Sequence, residues 1–249
     1  METAQPKVVI IIPTYNELES IRILLDNLQK IIRQHPEYGW NILVVDRFSP
    51  DGTGDHVRSV KNNFPNVEVI DRLKQGIGTA YQAGFEWVEK NMPSADFIIQ
   101  MDGDLSHDPQ KIISFLETAK NGFDVVVGSR YVPGGEWTDA PLVRNIISRC
   151  GNASVRVLGN IKSIHDCTSG YKCIRKNYIE KIASSGNFFS GHAFQIQFIE
   201  SLLSSGARIA EIPIKFQTRK YGSSKLRLRD FHESAAAVFG LWKKRSRKL

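Results

Sequence analysis

A chain of 249 residues that is 41% hydrophobic and 24% charged, with 19 glycines and 10 prolines, has ordinary globular usage, which excludes a disordered or low-complexity protein. Its three cysteines, Cys150, Cys167 and Cys173, cannot all pair and form no Cys-x-x-Cys, so neither a disulfide framework nor a zinc module is expected, and a reducing compartment fits best. The net charge of +7 is unevenly spread: from Arg219 to Leu249 ten Lys/Arg face two Asp/Glu, net +8, which leaves 23 basic against 24 acidic residues, net −1, before it. A basic tail on a nearly neutral body points to phosphate, in nucleic acid or in anionic lipid.

In chain order, Lys7–Ile12 reads as a buried strand ending at Pro13. Its apolar run, Val8 to Ile12, is far shorter than a signal-peptide core or the roughly 20 residues that span a bilayer, so the chain is expected to be neither secreted nor membrane-spanning. Ile21, Leu24, Leu25, Leu28, Ile31 and Ile32 recur at helical spacing within Glu19–Ile32. Strand Trp40–Val45, helix Asp55–Asn63, strand Val67–Ile70, helix Thr79–Asn91 and strand Phe97–Met101 follow. This alternation predicts an α/β fold around a mostly parallel sheet, with ligands at the carboxyl ends of the strands. The second half is less regular: helix Pro109–Lys120, strand Val125–Gly128, helix Leu142–Leu158 with a basic face, and strands Lys172–Ile174 and Ile209–Phe216 around helix His192–Ser204. No repeat or linker divides the chain.

Four clusters carry chemistry. Pro13-Thr14-Tyr15-Asn16-Glu17 sets a ring and a carboxylate where strand gives way to helix, although Asn16 with Glu19 also reads as a helix cap. Asp46-Arg47-Phe48-Ser49-Pro50-Asp51-Gly52-Thr53 is either a turn or a ligand-facing strand end. Asp102-Gly103-Asp104, with Ser106 and His107 beyond, offers hard oxygens to Mg²⁺ or Mn²⁺ while leaving room for a diphosphate. Arg130, Arg144, Arg219 and Lys225 are cations suited to phosphate oxygens, the arginines bidentately.

Taken in order, these motifs resemble the dolichol-phosphate (polyprenol-phosphate) mannose synthases, inverting glycosyltransferases of the GT-A fold. The resemblance runs from about Val8 to about Leu226. It adds Gly76-Ile77-Gly78-Thr79-Ala80-Tyr81, Gly128-Ser129-Arg130-Tyr131, Asp166-Cys167-Thr168-Ser169-Gly170-Tyr171 and Tyr221-Gly222-Ser223-Ser224-Lys225-Leu226 to the clusters above. It implies a single GT-A domain over 1–226, followed by an amphipathic helix and basic tail over 227–249. It also implies a GDP-mannose site from Pro13, Tyr15, Glu17, Val45, Asp46, Arg47, Asp102, Gly103 and Asp104, with Arg219 and Lys225 at the phosphates. Asp104, Asp102 and Ser106 would hold the divalent ion, and Arg130 and Arg144 would receive the acceptor lipid's phosphate. Catalysis is then expected from Asp102, Asp104, Arg130 and Arg144, by positioning and charge stabilisation.

One position departs from the family. A second Asp, which reads the nucleobase, is usual after Asp46, followed by Gly or Asn; here Arg47-Phe48 stands instead, and Arg is a donor with no acceptor. Another donor such as UDP-glucose, or a non-catalytic nucleotide- or lipid-phosphate-binding protein, is therefore the alternative. In the tail, Phe231, Ala235, Val238 and Trp242 fall on one face of an expected helix Asp230–Trp242 before Lys243-Lys244-Arg245, and at about 20 Å that helix is too short to cross a bilayer. Peripheral attachment at a cytoplasmic membrane face, endoplasmic reticulum or plasma membrane, directly or through a small membrane-anchoring subunit, is expected. Nucleic acid is not expected, because the tail's cations are not interleaved with stacking aromatics.

Overall fold

A computed structural model of the chain describes residues 5–73, 76–183, 188–219 and 228–246. The first half alternates as expected: β1 (Lys7–Thr14), α1 (Leu18–Gln34), β2 (Gly39–Asp46), α2 (Thr53–Val60), β3 (Val67–Asp71), α3 (Ile77–Asn91) and β4 (Phe97–Gln100). Then come α4 (Lys111–Lys120), β5 (Val125–Ser129), β6 (Glu136–Thr138), α5 (Leu142–Leu158), β7 (Lys172–Arg175), α6 (Lys176–Ala183), α7 (Ala193–Ser204), β8 (Ile209–Pro213), β9 (Lys215–Gln217) and α8 (Leu228–Ser246). One seven-stranded sheet has the order β3-β2-β1-β4-β7-β5-β8, and β6 pairs with β9 apart from it. Every neighbour in the large sheet is parallel except β7, which runs antiparallel to both β4 and β5.

The unbroken apolar run of β1 follows from its central place, because a strand covered on both faces has no polar side. Successive side chains alternate between two cores: Val9 and Ile11 join one with Tyr81, Phe85, Phe194 and Phe198, while Val8, Ile10 and Ile12 join the other with Leu24, Leu28, Phe115 and Leu116. Helix α3 lies unusually close to β1, since a Cβ on Gly84 would stand 2.6 Å from Ile11 Cγ2.

Three features depart from expectation. Ile209–Phe216 is not one strand: at Ile214 the chain donates to the Ser129 carbonyl and turns from β8 into β9. Strand β6 and helix α6 were not expected, being too short for their periodicity to stand out. Helix α8 is packed on the body through Ala237 and Leu241, with Val238 of the predicted stripe partly buried beside them, whereas Ala235 is exposed and Trp242 is 45% exposed, so only part of the predicted stripe faces inward. Phe231 lies outside the described side chains. No helix among the described residues is long and apolar enough to cross a membrane.

Candidate active site

The carboxyl ends of β1, β2 and β4 meet at one edge of the sheet, and each is followed by a residue with positive φ: Asn16 at 53°, Phe48 at 46° and Leu105 at 64°. Such left-handed turns let a strand stop abruptly and aim the following residues across its end. The turn after β2 is stitched to the start of α1. Asn16, Glu17 and Leu18 donate their backbone N–H groups to Ser49 Oγ, Thr53 Oγ1 and Asp51 Oδ2, each at 3.0 Å. The cap of α1 is therefore supplied by the Ser49–Thr53 loop and not by Asn16.

Asp46 is buried, and its carboxylate accepts from the Thr14 hydroxyl at 2.8 Å and from the Ser49 N–H and hydroxyl at 2.8 and 2.6 Å. It thus organises the turn from inside. Arg47 instead lies half-buried with its guanidinium 4.5 Å from the centre of the Tyr15 ring. Pro13 and Val45 complete the strand ends beneath this pair, paired with each other in register.

In the acidic turn, Asp104 is buried. Its Oδ1 accepts the Ser106 N–H at 3.0 Å and hydroxyl at 2.5 Å, and Oδ2 stands 2.7 Å from Arg219 Nε. Ser106 is itself buried and serves as the clamp on Asp104. Asp102 is more open: its backbone N–H donates to His107 Nδ1 at 3.1 Å, which leaves the ring proton on Nε2, 4.0 Å from Asp102 Oδ2. Burial lowers the His107 pKa further than Asp102 and Asp104 raise it, so this histidine is neutral near pH 7. The Tyr81 hydroxyl reaches Asp102 Oδ1 at 3.5 Å. Gly103 and Gly170 make the cradle: a Cβ on Gly103 would meet Glu17 Oε2 at 2.7 Å, and one on Gly170 would meet Asp102 Oδ1 at 3.2 Å.

Two carboxylates in one turn, with no cluster of three His, Cys, Asp or Glu able to hold an ion among the described residues, are a sparse hard-oxygen set. A hard divalent ion is compatible with such a set and would need further oxygens from outside the turn to complete its shell.

Arg130 lies near enough to Asp102 for the two charges to act on each other. Its Nε and Nη2 donate to Asp166 Oδ2 and Oδ1, both at 2.7 Å, and Nη2 also donates to Thr168 Oγ1 at 2.8 Å. Burial pushes the Asp166 carboxyl up, but the Arg130 guanidinium and its hydrogen bonds more than offset this and hold it below the usual range. Trp137, which sequence reading passed over, stands between Arg130 and Arg144, with guanidinium carbons 5.1 and 5.3 Å from its ring. Tyr131 does the same between Arg130 and Arg149, at 5.1 and 4.9 Å. The run Arg149–Tyr131–Arg130–Trp137–Arg144 is one alternating stack of three cations and two rings, each contact of the cation–π kind. Strand β6 carries Trp137 and is paired with β9, which leads to Arg219, so this small sheet joins the cationic stack to the acidic turn. A Trp at the centre of a three-residue strand leaves no periodic signal. Lys225 and its Gly-Ser loop lie outside the described residues.

The family model for glycosyl transferase family 2 matches residues 9–183. The chain belongs to that family. It is 37% identical over 222 residues to an undecaprenyl-phosphate mannosyltransferase of Micrococcus luteus, covering 88% of this chain and 87% of the relative. It is 36% identical to a polyprenol monophosphomannose synthase of Mycolicibacterium smegmatis, covering 88% and 81%. A dolichol-phosphate mannosyltransferase of Pyrococcus furiosus is 32% identical over 95% of this chain and 64% of the relative. Among solved structures, glucosyl-3-phosphoglycerate synthase of Mycobacterium tuberculosis with Mn²⁺ and UDP-glucose has a TM-score of 0.69 at 16% identity, covering 96% and 80%. A Pyrobaculum calidifontis mannosyltransferase with GDP-mannose and Mn²⁺ has a TM-score of 0.60 at 16% identity, covering 98% and 65%. The family member described here thus has the GT-A fold that its sequence predicted.

Proposed function

We propose that this glycosyltransferase moves mannose from GDP-mannose to a polyprenyl monophosphate with inversion at the sugar, and that Mg²⁺ or Mn²⁺ is its cofactor. The observation that carries the reading is the arginine stack near the acidic turn: Arg144, its guanidinium against Trp137, offers a planar fork beside the charge of Arg130, which Asp166 and Thr168 fix in place, and this suits an acceptor that is itself a phosphate. The similarity to polyprenyl-phosphate mannosyltransferases supports the choice of sugar and lipid.

On this reading Pro13, Tyr15, Glu17 and Gly103 border the nucleoside, Val45 and Asp46 support that edge from beneath, and Arg47 presents donors to the acceptor edge that guanine offers through O6 and N7. Asp102 and Asp104 would hold the divalent ion, which supplies charge compensation for the leaving diphosphate. Arg219 passes from Asp104 to the diphosphate oxygens, and Lys225 is the second cation that the resemblance assigns to them. Arg130 and Arg144 hold the lipid phosphate, one of whose oxygens attacks the sugar's C1. The new O–C1 bond forms as the bond from C1 to the diphosphate breaks, and GDP departs with the electron pair. The attacking phosphate is already ionised near neutral pH, so no residue is required to remove a proton. A lipid substrate calls for a membrane surface, which on this reading is a cytoplasmic face, reached directly or through a small membrane subunit.

UDP-glucose is the second reading, favoured by Arg47 standing where the family has an acceptor. The test is transfer of radiolabelled sugar from a panel of nucleotide sugars to polyprenyl phosphate, with and without EDTA. GDP-mannose should be the preferred donor, and EDTA or Asp104→Ala should abolish transfer. Preference for UDP-glucose would replace the donor, and full activity in EDTA would remove the metal.

A further inference from the structure

Helix α5 is inside out for the surface helix of a water-facing protein. Only Asn152 and Val155 are buried on its inner side, while Leu142, Val143, Ile146, Ile147, Val157 and Leu158 are exposed at 75, 69, 51, 52, 67 and 41%. At 100° per residue these six, with exposed Cys150 among them, fill an arc of about 160° along about 24 Å of helix. A helix facing water turns its apolar stripe inward. Arg149 and Arg156 border one side of the stripe and Arg144 the other, and α5 carries no carboxylate at all. Helix α8 packs on α5 through Leu241, which lies against Gly159, and exposes Phe239 at 60% and Trp242 at 45%, their rings 5.5 Å apart, followed at once by exposed Lys243.

We propose that the outer face of α5, with Phe239 and Trp242 of α8, lies in the headgroup region of an anionic bilayer, α5 parallel to the membrane plane. An apolar stripe rimmed by arginines matches a surface that is apolar beneath and negative above, with long cationic side chains reaching the headgroups. A second copy is a poor match, because α5 against α5 would bring arginines together with no carboxylate to meet them. Nucleic acid offers nothing to the stripe. The placement also serves the proposed acceptor, and in this it rests on that reading. Arg144 sits at the stripe's edge and Arg149 at its opposite edge, so the stack that would take the lipid phosphate is held at headgroup depth while the isoprenoid tail stays in the bilayer.

The test uses the full chain and the exposed-surface variant Ile146→Ser with Ile147→Ser. Flotation with phosphatidylcholine vesicles, with and without phosphatidylglycerol, reads membrane binding, and quenching by brominated lipids reads the depth of Trp242 against a Trp242→Phe control. Wild type should bind the anionic vesicles and be released by salt, and the double variant should partition at least about tenfold less. With a short-chain, water-soluble polyprenyl phosphate the variant should keep its transfer rate and lose it only on acceptor embedded in vesicles. No transfer from either protein, with vesicle binding and its loss intact, would sink the proposed activity and leave the surface standing. Equal binding by the two proteins, binding only when a membrane protein is reconstituted, or a dimer that the variant dissolves would each overturn the bilayer assignment.

Discussion

Lys172 is the most unusual single residue in the chain, a lysine with no exposed surface on the antiparallel strand β7 between β4 and β5. Its ammonium donates to the Ser169 carbonyl and to Gln195 Oε1, the latter at 2.5 Å. Burial brings its pKa down to about 7 despite the pull of Asp166 and Asp102. The unfolded chain holds this proton up to about pH 10.4, so between about pH 7 and 10 the folded state binds fewer protons than the unfolded one, and stability gains as pH rises through that window. Below about pH 7 both states carry the proton and the cost of burying it is felt in full. Denaturant unfolding of wild type and Lys172→Met should therefore show stability rising from about pH 7 to 10 more steeply in wild type. Parallel curves would mean that Lys172 is not the buried cation described here. The buried pair Arg130–Asp166 is a second case, in which removal of one partner leaves a bare charge inside.

Among the elements, α3 shows how a residue acquires meaning from its neighbours. A glycine within an exposed helix costs about 1 kcal/mol relative to alanine, so Gly84→Ala would ordinarily stabilise. Here the new methyl would stand 2.6 Å from Ile11 Cγ2 on the central strand, and the overpacking costs roughly 1–3 kcal/mol. We expect the thermal midpoint of Gly84→Ala to fall, whereas Gly151→Ala on α5, with open space around its Cβ position, should raise it. A higher midpoint for Gly84→Ala would show that α3 can stand away from β1. Gly78 is stricter still, since its added Cβ would meet the Phe189 backbone carbonyl at 2.3 Å.

Across the whole molecule, the candidate site has two chemically distinct ends. Turns after β1, β2 and β4 gather Glu17, Asp46, Asp102 and Asp104 with Arg47, and the pieces around β6, α5 and the Asp166 loop gather Arg130, Arg144 and Arg149. This division predicts separable defects. Arg144→Ala should reduce transfer at limiting polyprenyl phosphate by roughly ten- to a hundredfold, the worth of about 1.5–3 kcal/mol in hydrogen bonds to a charged group, and leave GDP affinity by calorimetry unchanged. Arg144→Lys should recover only part, because a point charge lacks the planar fork. Loss of GDP affinity in either variant would merge the two ends into one site.

The sequence alone determined the strand and helix alternation of the first half, because buried parallel strands need unbroken apolar runs and their covering helices need a 3.6-residue stripe. It also determined the carboxylates at the strand ends, since Asp102-Gly103-Asp104 is local in the chain. Tertiary structure decided what depends on distant partners. It capped α1 from the Ser49–Thr53 loop, locked Asp46 inside its turn, and closed Asp104 with Arg219, more than a hundred residues away. It set Trp137 between two arginines through a three-residue strand too short to carry a pattern. It also chose which side of α5 and of α8 faces inward, which the spacing of apolar residues cannot do when the outer face is as apolar as the inner one. A hydrophobic stripe records that something apolar covers it, and only the packed fold shows whether that cover is the protein's own core.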